Sequence, residues 1–523
     1  MTRLLPVGDS ALCVELGEGI DPQVAARVRA LEHALRQDPF PGFLEAVPSY
    51  RSLLVLFDGP ALTAADAAGA VEARLLAPLP APPEPRLHEI PVVYGGEYGP
   101  DLEAVAVAGQ LRPSEVIALH AGLPYTAFML GFAPGFAYLG LLDPRLERPR
   151  RRTPRTAVPA GSVAIAGRQT AIYPARSAGG WHLLGRTGLR LFDPLCDPPA
   201  LVQPGDRVLF RPVEALNTPS LSSHGTHEHA NPAIEVLDAG VLTSVQDPGR
   251  PGWRRYGVPE TGAADRAALR RANLAVGNGG GAAALECTLL GPVLRFLVAG
   301  RFAVTGADLG AVLERADLGP WSVRRGIPVQ ARPGNVLRFN GRRSGCRAVI
   351  AFAGGIEVPR VLGSRATDLL GGFGGHAGRA LRAGDRLGLG RAGSTGLELT
   401  EPPIAEEAAV RILPGPQADH FDRTCLERLL ATTWEVTADS DRVGVRLRGP
   451  RLAHLGPGEI VSDGMLPGSI QVPPDGQPIV MFRDAPTTGG YPKLATVLSA
   501  DLDLLAQLVP GAGRLRFTLQ APA

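Results

Sequence analysis

Glycine and proline punctuate this chain so densely that few long regular elements can survive in it. There are 65 glycines and 50 prolines in 523 residues. Proline removes a backbone donor and glycine weakens any element it interrupts. Such a chain folds mainly as short strands joined by tight turns. Helical spacing of apolar residues is confined to a few stretches: "PQVAARVRALEHALRQ" at 22–37, "TAADAAGAVEARLLA" at 63–77, "RPSEVIALHAG" at 112–122, "GAADRAALRRANLAVGN" at 262–278 and "ADLDLLAQLVPG" at 500–511. Thr63 or Asp66 is placed to cap the second of these.

The texture divides the chain. Residues 1–82 read as a small α+β unit, followed by the proline-rich linker "PLPAPPEPR" at 78–86. Residues 87–213 alternate β-branched runs with Gly/Pro turns, as a β-rich barrel or sandwich does. A polar linker spans 214–232; its His224, His227 and His229 have metal-ligand chemistry but no paired ligand cluster. Residues 233–523 are again β-rich, and "LTEPPIAEEAA" at 399–409 divides them into two subdomains. No short-period repeat is visible, although 87–213 and 233–523 share a texture.

Charge and cysteine usage exclude several classes. A net charge of +2 argues against a nucleic-acid surface. The five cysteines form no CxxC and no zinc spacing, which suits a reducing cytosol. Asp9 interrupts the N-terminal apolar run too early for a signal peptide. Residues 121–142 lack charge but carry prolines and glycines, so they read as a folded core segment rather than a membrane span. The expectation is a cytoplasmic protein with no membrane partner and no resident metal.

Lys493, in "TTGGYPKLATV", is the only lysine beside 52 arginines. A GC-rich coding sequence explains the arginine excess. The surviving lysine marks a position where a compact ammonium, or a neutral amine, does what a guanidinium cannot. It also excludes a Walker A loop, a biotin acceptor and a Ser-x-x-Lys hydrolase, none of which its neighbours fit. Asp484 is the nearby carboxylate expected to pair with it, which would keep the lysine charged; burial without an acid would instead lower its pKa. Asp247 and Arg250, in an Asp-Pro-Gly-Arg turn, and Arg442, in "SDRVG", complete the candidate charged set.

The aromatic residues cluster in "YTAFMLGFAPGFAYLGLLDPR" at 125–145. Phe132 and Phe136 there suit either a packed core loop or the wall of a pocket for a small flat ligand. Candidate substrate-facing residues also include His120, Gln169, Trp181, Arg186, Gln471, Thr488 and Tyr491. His120 equally suits a satisfied structural role.

Several long blocks carry a family resemblance. "GFAPGFAYLGLLDPRLERPRR", "PRTAVPAGSVAIAGRQTAIYP" and "GGWHLLGRT" resemble allophanate hydrolase subunit 1, also seen as the B subunit of 5-oxoprolinase. "LTSVQDPGRPGWRRYGVP", "ILPGPQADHF", "SDRVGVRLRGP", "GSIQVPPDGQPIV" and "DAPTTGGYPKLATV" resemble allophanate hydrolase subunit 2, or the C subunit of 5-oxoprolinase, with Val443 where the family has methionine. The resemblance covers nearly the whole chain, B before C. It implies a mainly β fold of tandem cyclophilin-like β-barrels preceded by a small α+β domain. It also implies a component of an ATP-dependent hydrolase that opens 5-oxoproline to glutamate with a separate 5-oxoprolinase A subunit, using ATP and Mg²⁺. In that reading Lys493, Arg250 and Arg442 surround a transferring phosphoryl group, and Asp484 and Asp247 serve as acid, base or Mg²⁺ partners. The substrate is a small lactam; a homo-oligomer stays open. The urea amidolyase relatives imply an alternative, a carboxyltransferase working with a biotin carrier on another chain. A third reading is a regulatory protein that binds a histidine kinase.

Overall fold

The N-terminal 76 residues build a four-stranded antiparallel sheet, ordered Arg3–Val7, Ala11–Glu15, Ser52–Phe57, Phe43–Pro48. The computed structural model describes residues 2–216, 231–393 and 395–520, so His224, His227 and His229 lie outside the described residues. The helices Pro22–Gln37 and Ala64–Leu76 cover one face of the sheet. Asp21 caps the first by accepting from the backbone N–H groups of Gln23 and Val24. Thr63 and Asp66 close a reciprocal capping box on the second. Successive strand residues face opposite ways. Leu12, Val14, Leu53 and Val55 therefore meet the helices, while Cys13, Leu54 and Leu56 pack outward with Leu466 from the far end of the chain.

Two closed seven-stranded barrels follow, at 87–212 and 407–519, and the fold is mainly β. Numbered by chain order within each barrel, the strands run around both rings as 5-3-2-7-1-6-4. In both, the first strand runs parallel to the last over six residue pairs, 87–92 with 207–212 and 407–412 with 514–519. The barrels are thus structural duplicates, a closer likeness than the shared texture read in the sequence.

Between them, residues 234–389 form two sheets of seven and five strands, neither of them closed. Val245, Leu285 and Ile350 of one sheet and Val236, Leu294 and Leu337 of the other share a single core. The helix Arg266–Ala275 lies against the five-stranded sheet and is capped by Asp265. The uncharged 121–142 segment supplies two barrel strands, Tyr125–Leu130 and Ala137–Gly140. Among the described residues no helix is long and apolar enough to cross a membrane.

The loop 247–266 ties these units together. Arg254 pairs with Glu45 of the N-terminal sheet at 3.3 Å, and Arg255 pairs with Glu32 of the first helix at 3.1 Å. Gly135 of the first barrel donates to the Tyr256 carbonyl at 2.9 Å.

Candidate functional site

The Gly-Phe-Ala-Pro-Gly-Phe loop turns back on itself between two strands of the first barrel. Gly131 N–H donates to the Phe136 carbonyl at 3.1 Å. The turn holds Phe132 at φ +63°, a left-handed conformation rare for a bulky side chain, and leaves the residue 40% exposed. Such strain persists only where surrounding structure enforces it, and it clusters at functional sites. Next to Phe132 the loop meets the second barrel closely: a Cβ on Gly131 would lie 1.8 Å from the Thr488 hydroxyl oxygen.

Behind Phe132 runs a chain of edge-to-face rings. Phe136 lies 5.2 Å from Phe132, 4.9 Å from Tyr138, 5.2 Å from Tyr173 and 5.9 Å from Trp181, centroid to centroid. These rings form one wall of a cavity of about 310 Å³ between the two barrels. Arg150, Arg151, Pro154, Gly179 and Gly180 continue the first barrel's side, and Glu459 and Tyr491 come from the second. Burial pushes the phenols of Tyr138 and Tyr173 up to about 12, against a smaller opposing pull from the Arg150 charge, so both stay neutral at physiological pH. Among the described residues Arg150 and Glu459 engage no hydrogen bond or ion pair. The cavity thus offers flat apolar faces, one uncommitted guanidinium and one uncommitted carboxyl.

Trp181 and Tyr491 occupy equivalent places in the duplicated barrels. Each follows a Gly-Gly pair and leads into the sixth strand, "GGWHLL" in one and "GGYPKL" in the other. The backbone scheme around them repeats bond for bond. Gly95 donates to the Leu184 carbonyl at 3.0 Å, as Gly415 does to Leu494 at 2.8 Å. Asp101 donates to Leu183 at 3.1 Å, as Gln417 does to Lys493 at 3.3 Å. Leu183 N–H returns a bond to the Asp101 carboxylate at 2.7 Å, as Lys493 N–H does to the Gln417 amide oxygen at 3.2 Å. Gly179 pairs with Arg155 across a two-stranded ribbon, as Gly489 pairs with Asp463.

Lys493 therefore sits where the first barrel has leucine. Its Nζ donates to Asp463, whose other oxygen accepts from the Gln417 amide at 3.0 Å. The expected Lys493–Asp484 pair does not form. Asp484 instead accepts two bonds from Arg442, at 2.8 and 3.0 Å, and Arg442 also donates to Glu286 and to the Gly262 carbonyl at 2.6 Å. Proximity along the chain suggested Asp484, but the ribbon pairing delivers Asp463. Lys493 and Asp463 are 1% and 0% exposed, so the pair lies behind the cavity rather than in its lining.

The remaining candidates scatter. Arg250 is buried and donates to the Thr261 hydroxyl at 2.6 Å and to the Ala366 carbonyl, beneath the Phe373 ring. Asp247 does not pair with it; its carboxylate accepts from Gly249 N–H at 2.8 Å and from the Ser364 hydroxyl and Arg365 N–H at 2.6 Å each. His120 is fully buried, between the Tyr94 hydroxyl at 2.7 Å and the Thr170 hydroxyl at 2.8 Å and stacked on Phe210. Burial pulls its pKa down to about 3, so it is a neutral core histidine and cannot reach a ligand in the cavity. Gln169 and Arg186 stand at strand ends outside the cavity lining, the latter over the Tyr98 ring. Thr488 is spent on the close barrel contact, and Gln471 is the cross-strand neighbour of Lys493. Phe132, Phe136, Trp181 and Tyr491 are the expected residues that do line the cavity. Tyr173, Arg150, Glu459 and Asp463 were missed; aligning the two Gly-Gly-aromatic hairpins would have drawn attention to the residue opposite each glycine.

Two family models match the chain: the carboxyltransferase domain, subdomains C and D, at residues 2–202, and subdomains A and B at residues 256–519. The chain belongs to the carboxyltransferase-domain family. Within it, the C subunit of 5-oxoprolinase from Escherichia coli strain K12 is 42% identical over 53% of this chain and 88% of its own length. The B subunit of 5-oxoprolinase from Bacillus subtilis strain 168 is 45% identical over 39% of this chain and 90% of its own length. The crystal structure of the protein TTHA0988 superposes with TM-score 0.85 at 37% identity, covering 99% of this chain and 100% of that one. This carboxyltransferase-domain chain thus joins in one polypeptide what those relatives carry as separate B and C subunits.

Proposed function

We propose that this chain is the fused B–C component of an ATP-dependent 5-oxoprolinase, that it works with a separate A subunit, and that the cavity between its barrels binds 5-oxo-L-proline. The observation that carries this reading is the cavity's joint construction. The first barrel contributes the aromatic wall and Arg150, and the second contributes Tyr491 and Glu459. A cavity of about 310 Å³ suits a small ligand. The lactam ring lies against the ring faces and its carboxylate pairs with Arg150, whose guanidinium has no hydrogen-bond or ion-pair partner among the described residues.

Opening an unstrained five-membered lactam is unfavourable, and ATP supplies the drive. The lactam oxygen takes the γ-phosphoryl group: an O–P bond forms and the P–O bond to ADP breaks. Water adds to the activated carbon, and the C–N bond breaks with a proton going to nitrogen. A second water releases phosphate from the resulting acyl phosphate. In this reading the aromatic walls limit water to what the reaction consumes, and Glu459 is the proton carrier at the ring nitrogen. Lys493 with Asp463, and Arg442 with Asp484, fix the second barrel's side of the cavity. Among the described residues no group of three His, Cys, Asp or Glu side chains is placed to hold a metal ion, and Asp247 and Asp484 are committed to protein donors. Mg²⁺ in this reading travels with the nucleotide phosphates.

The test is glutamate release from 5-oxoproline with the purified chain, ATP, Mg²⁺ and the A subunit, each omitted in turn. Release is expected only with all present. Arg150→Ala is expected to raise KM for 5-oxoproline by about tenfold or more with kcat changed less, as for a lost charge-assisted hydrogen bond. An unchanged KM would remove the substrate from this cavity. The family's description as a carboxyltransferase domain favours a second reading, transfer of a carboxyl group, for which we propose a biotin carrier on another chain as the donor. Carboxylation of an acceptor with a carrier protein present, and no glutamate release with the A subunit, would establish it instead.

A further inference from the structure

A second cleft, of about 410 Å³, lies in the unit between the barrels, bounded by Asp247, residues 279–283, Arg360 and Arg365. We propose that it is a binding site for a phosphate-bearing anion. Three features converge. First, the backbone N–H groups of Gly279, Gly280 and Gly281 donate to no acceptor among the described residues, and these glycines are at least partly open to solvent. Consecutive free amides bordering a concavity are an anion's natural donors. A Cβ on Gly279 would meet nothing within 4 Å, while Gly280 and Gly281 lie beside the Arg270 and Pro248 side chains, whose carbons would stand 3.1 Å from a Cβ there.

Second, two guanidinium groups border the same cleft. Arg365 is fixed at both ends: its N–H donates to Asp247 at 2.6 Å and its Nε to the Val358 carbonyl at 2.8 Å. Among the described residues its two terminal nitrogens have no partner, and the Arg360 side chain has none at all. A planar fork with free outer nitrogens matches phosphate oxygens.

Third, the one carboxylate in the lining does not compete. Asp247 accepts from Gly249, Ser364 and Arg365, and so holds the loop that carries Arg365. Asp247 and Arg250, singled out in the sequence as one turn, thus part company: Arg250 is buried under Phe373, and Asp247 shapes this cleft. The assignment does not depend on the lactam reading, since it names a site outside the aromatic cavity and a ligand defined by phosphate alone.

The experiment is calorimetric titration of the full chain with inorganic phosphate and with ADP, both without Mg²⁺ and without the A subunit, at low salt. The proposal expects saturable binding of at least one of them. Arg360→Gln is expected to weaken that binding about tenfold, the loss of one charge-assisted bond. Arg324→Gln, an exposed arginine outside the cleft, is the control and is expected to bind as the parent does. Arg360 is exposed and has no partner among the described residues, so its variant should melt as the parent does, and a matching melting curve is required with the titration. ADP binding more tightly than phosphate, with both weakened by Arg360→Gln, identifies a nucleotide's phosphates as the ligand. Equal affinities identify free phosphate. No saturable binding of either, or equal weakening by Arg324→Gln, overturns the site.

Discussion

The two barrels have one ring order and one hydrogen-bond scheme, yet they solve the same corner with opposite charges. In the first, Asp101 faces Arg151 and Arg155 at 3.1 and 2.8 Å, with guanidinium side chains 34% and 25% exposed. In the second, the carboxylate has moved across to Asp463, Gln417 stands in for Asp101, and Lys493 replaces Leu183. The first corner opens to the cavity, where Arg151 contributes to the lining. The second is closed by the N-terminal sheet. A Cβ on Gly464 would lie 2.4 Å from Leu54 Cβ, and burial, with Asp463 next, pushes the Cys13 thiol up to about 12. An open corner accommodates long arginines that reach toward solvent. At this sealed corner the cation is the compact Lys493 ammonium held by Asp463, although buried guanidinium groups such as Arg250 and Arg442 occur elsewhere in the chain.

The sharpest way to break this comparison is Lys493→Leu, which gives the second barrel the first barrel's residue but strands Asp463. Leaving a buried charge unpaired costs about 3–5 kcal/mol, so a large fall in the denaturation midpoint is expected. Completing the exchange as Gln417→Asp, Asp463→Arg and Lys493→Leu is expected to recover only part of it, because the N-terminal sheet leaves no room for an arginine. Full recovery would show that the corner is not sealed.

The next effect belongs to the first barrel alone. His120 has its pKa held near 3 by burial, below the ordinary value of 6.5. The unfolded chain binds the proton more readily, so stability from this group is present above pH 6.5 and lost as pH falls toward 3. The loss is on the order of 3 kcal/mol by pH 4. Acid unfolding followed by hydrogen exchange is expected to expose residues 87–212 before 407–519. The reverse order would mean that the Lys493–Asp463 corner is the weaker one.

A smaller effect separates the two equivalent aromatic residues. Trp181→Phe and Tyr491→Phe keep a ring in the wall, and each is expected to raise KM for the cavity's ligand a few-fold with kcat nearly unchanged. Trp181, in contact with Phe136 and Tyr138, should show the larger change. The smallest is Glu459→Gln at the exposed rim, expected to move stability by no more than about 0.5 kcal/mol while lowering kcat if Glu459 carries the proton.

Much of the fold was legible in sequence because its signals are local. The helix 22–37 follows from apolar spacing and a proline start, and Thr63 and Asp66 announce their capping box. The helical reading at 500–511 shrank to a short 3-10 turn and the helix Leu502–Leu505, since Pro510 and Gly511 end the segment soon after its single turn. Within the site, the aromatic cluster and Tyr491 were legible because few aromatic residues exist to mislead. The partner of Lys493 was not. Asp463 is 30 residues away and is brought to the lysine by the pairing of two short strands, Asp463–Gly464 and Thr488–Gly489.

By itself, the sequence determined short strands, tight turns, the helix starts and the aromatic residues available for a wall, because backbone propensity and spacing act over a few residues. Tertiary structure alone decided that two stretches of unlike sequence close into the same ring. It also decided which carboxylate meets which cation, and that a cavity opens between the barrels. Those outcomes depend on strand pairings across tens to hundreds of residues, and on which corner the N-terminal sheet covers.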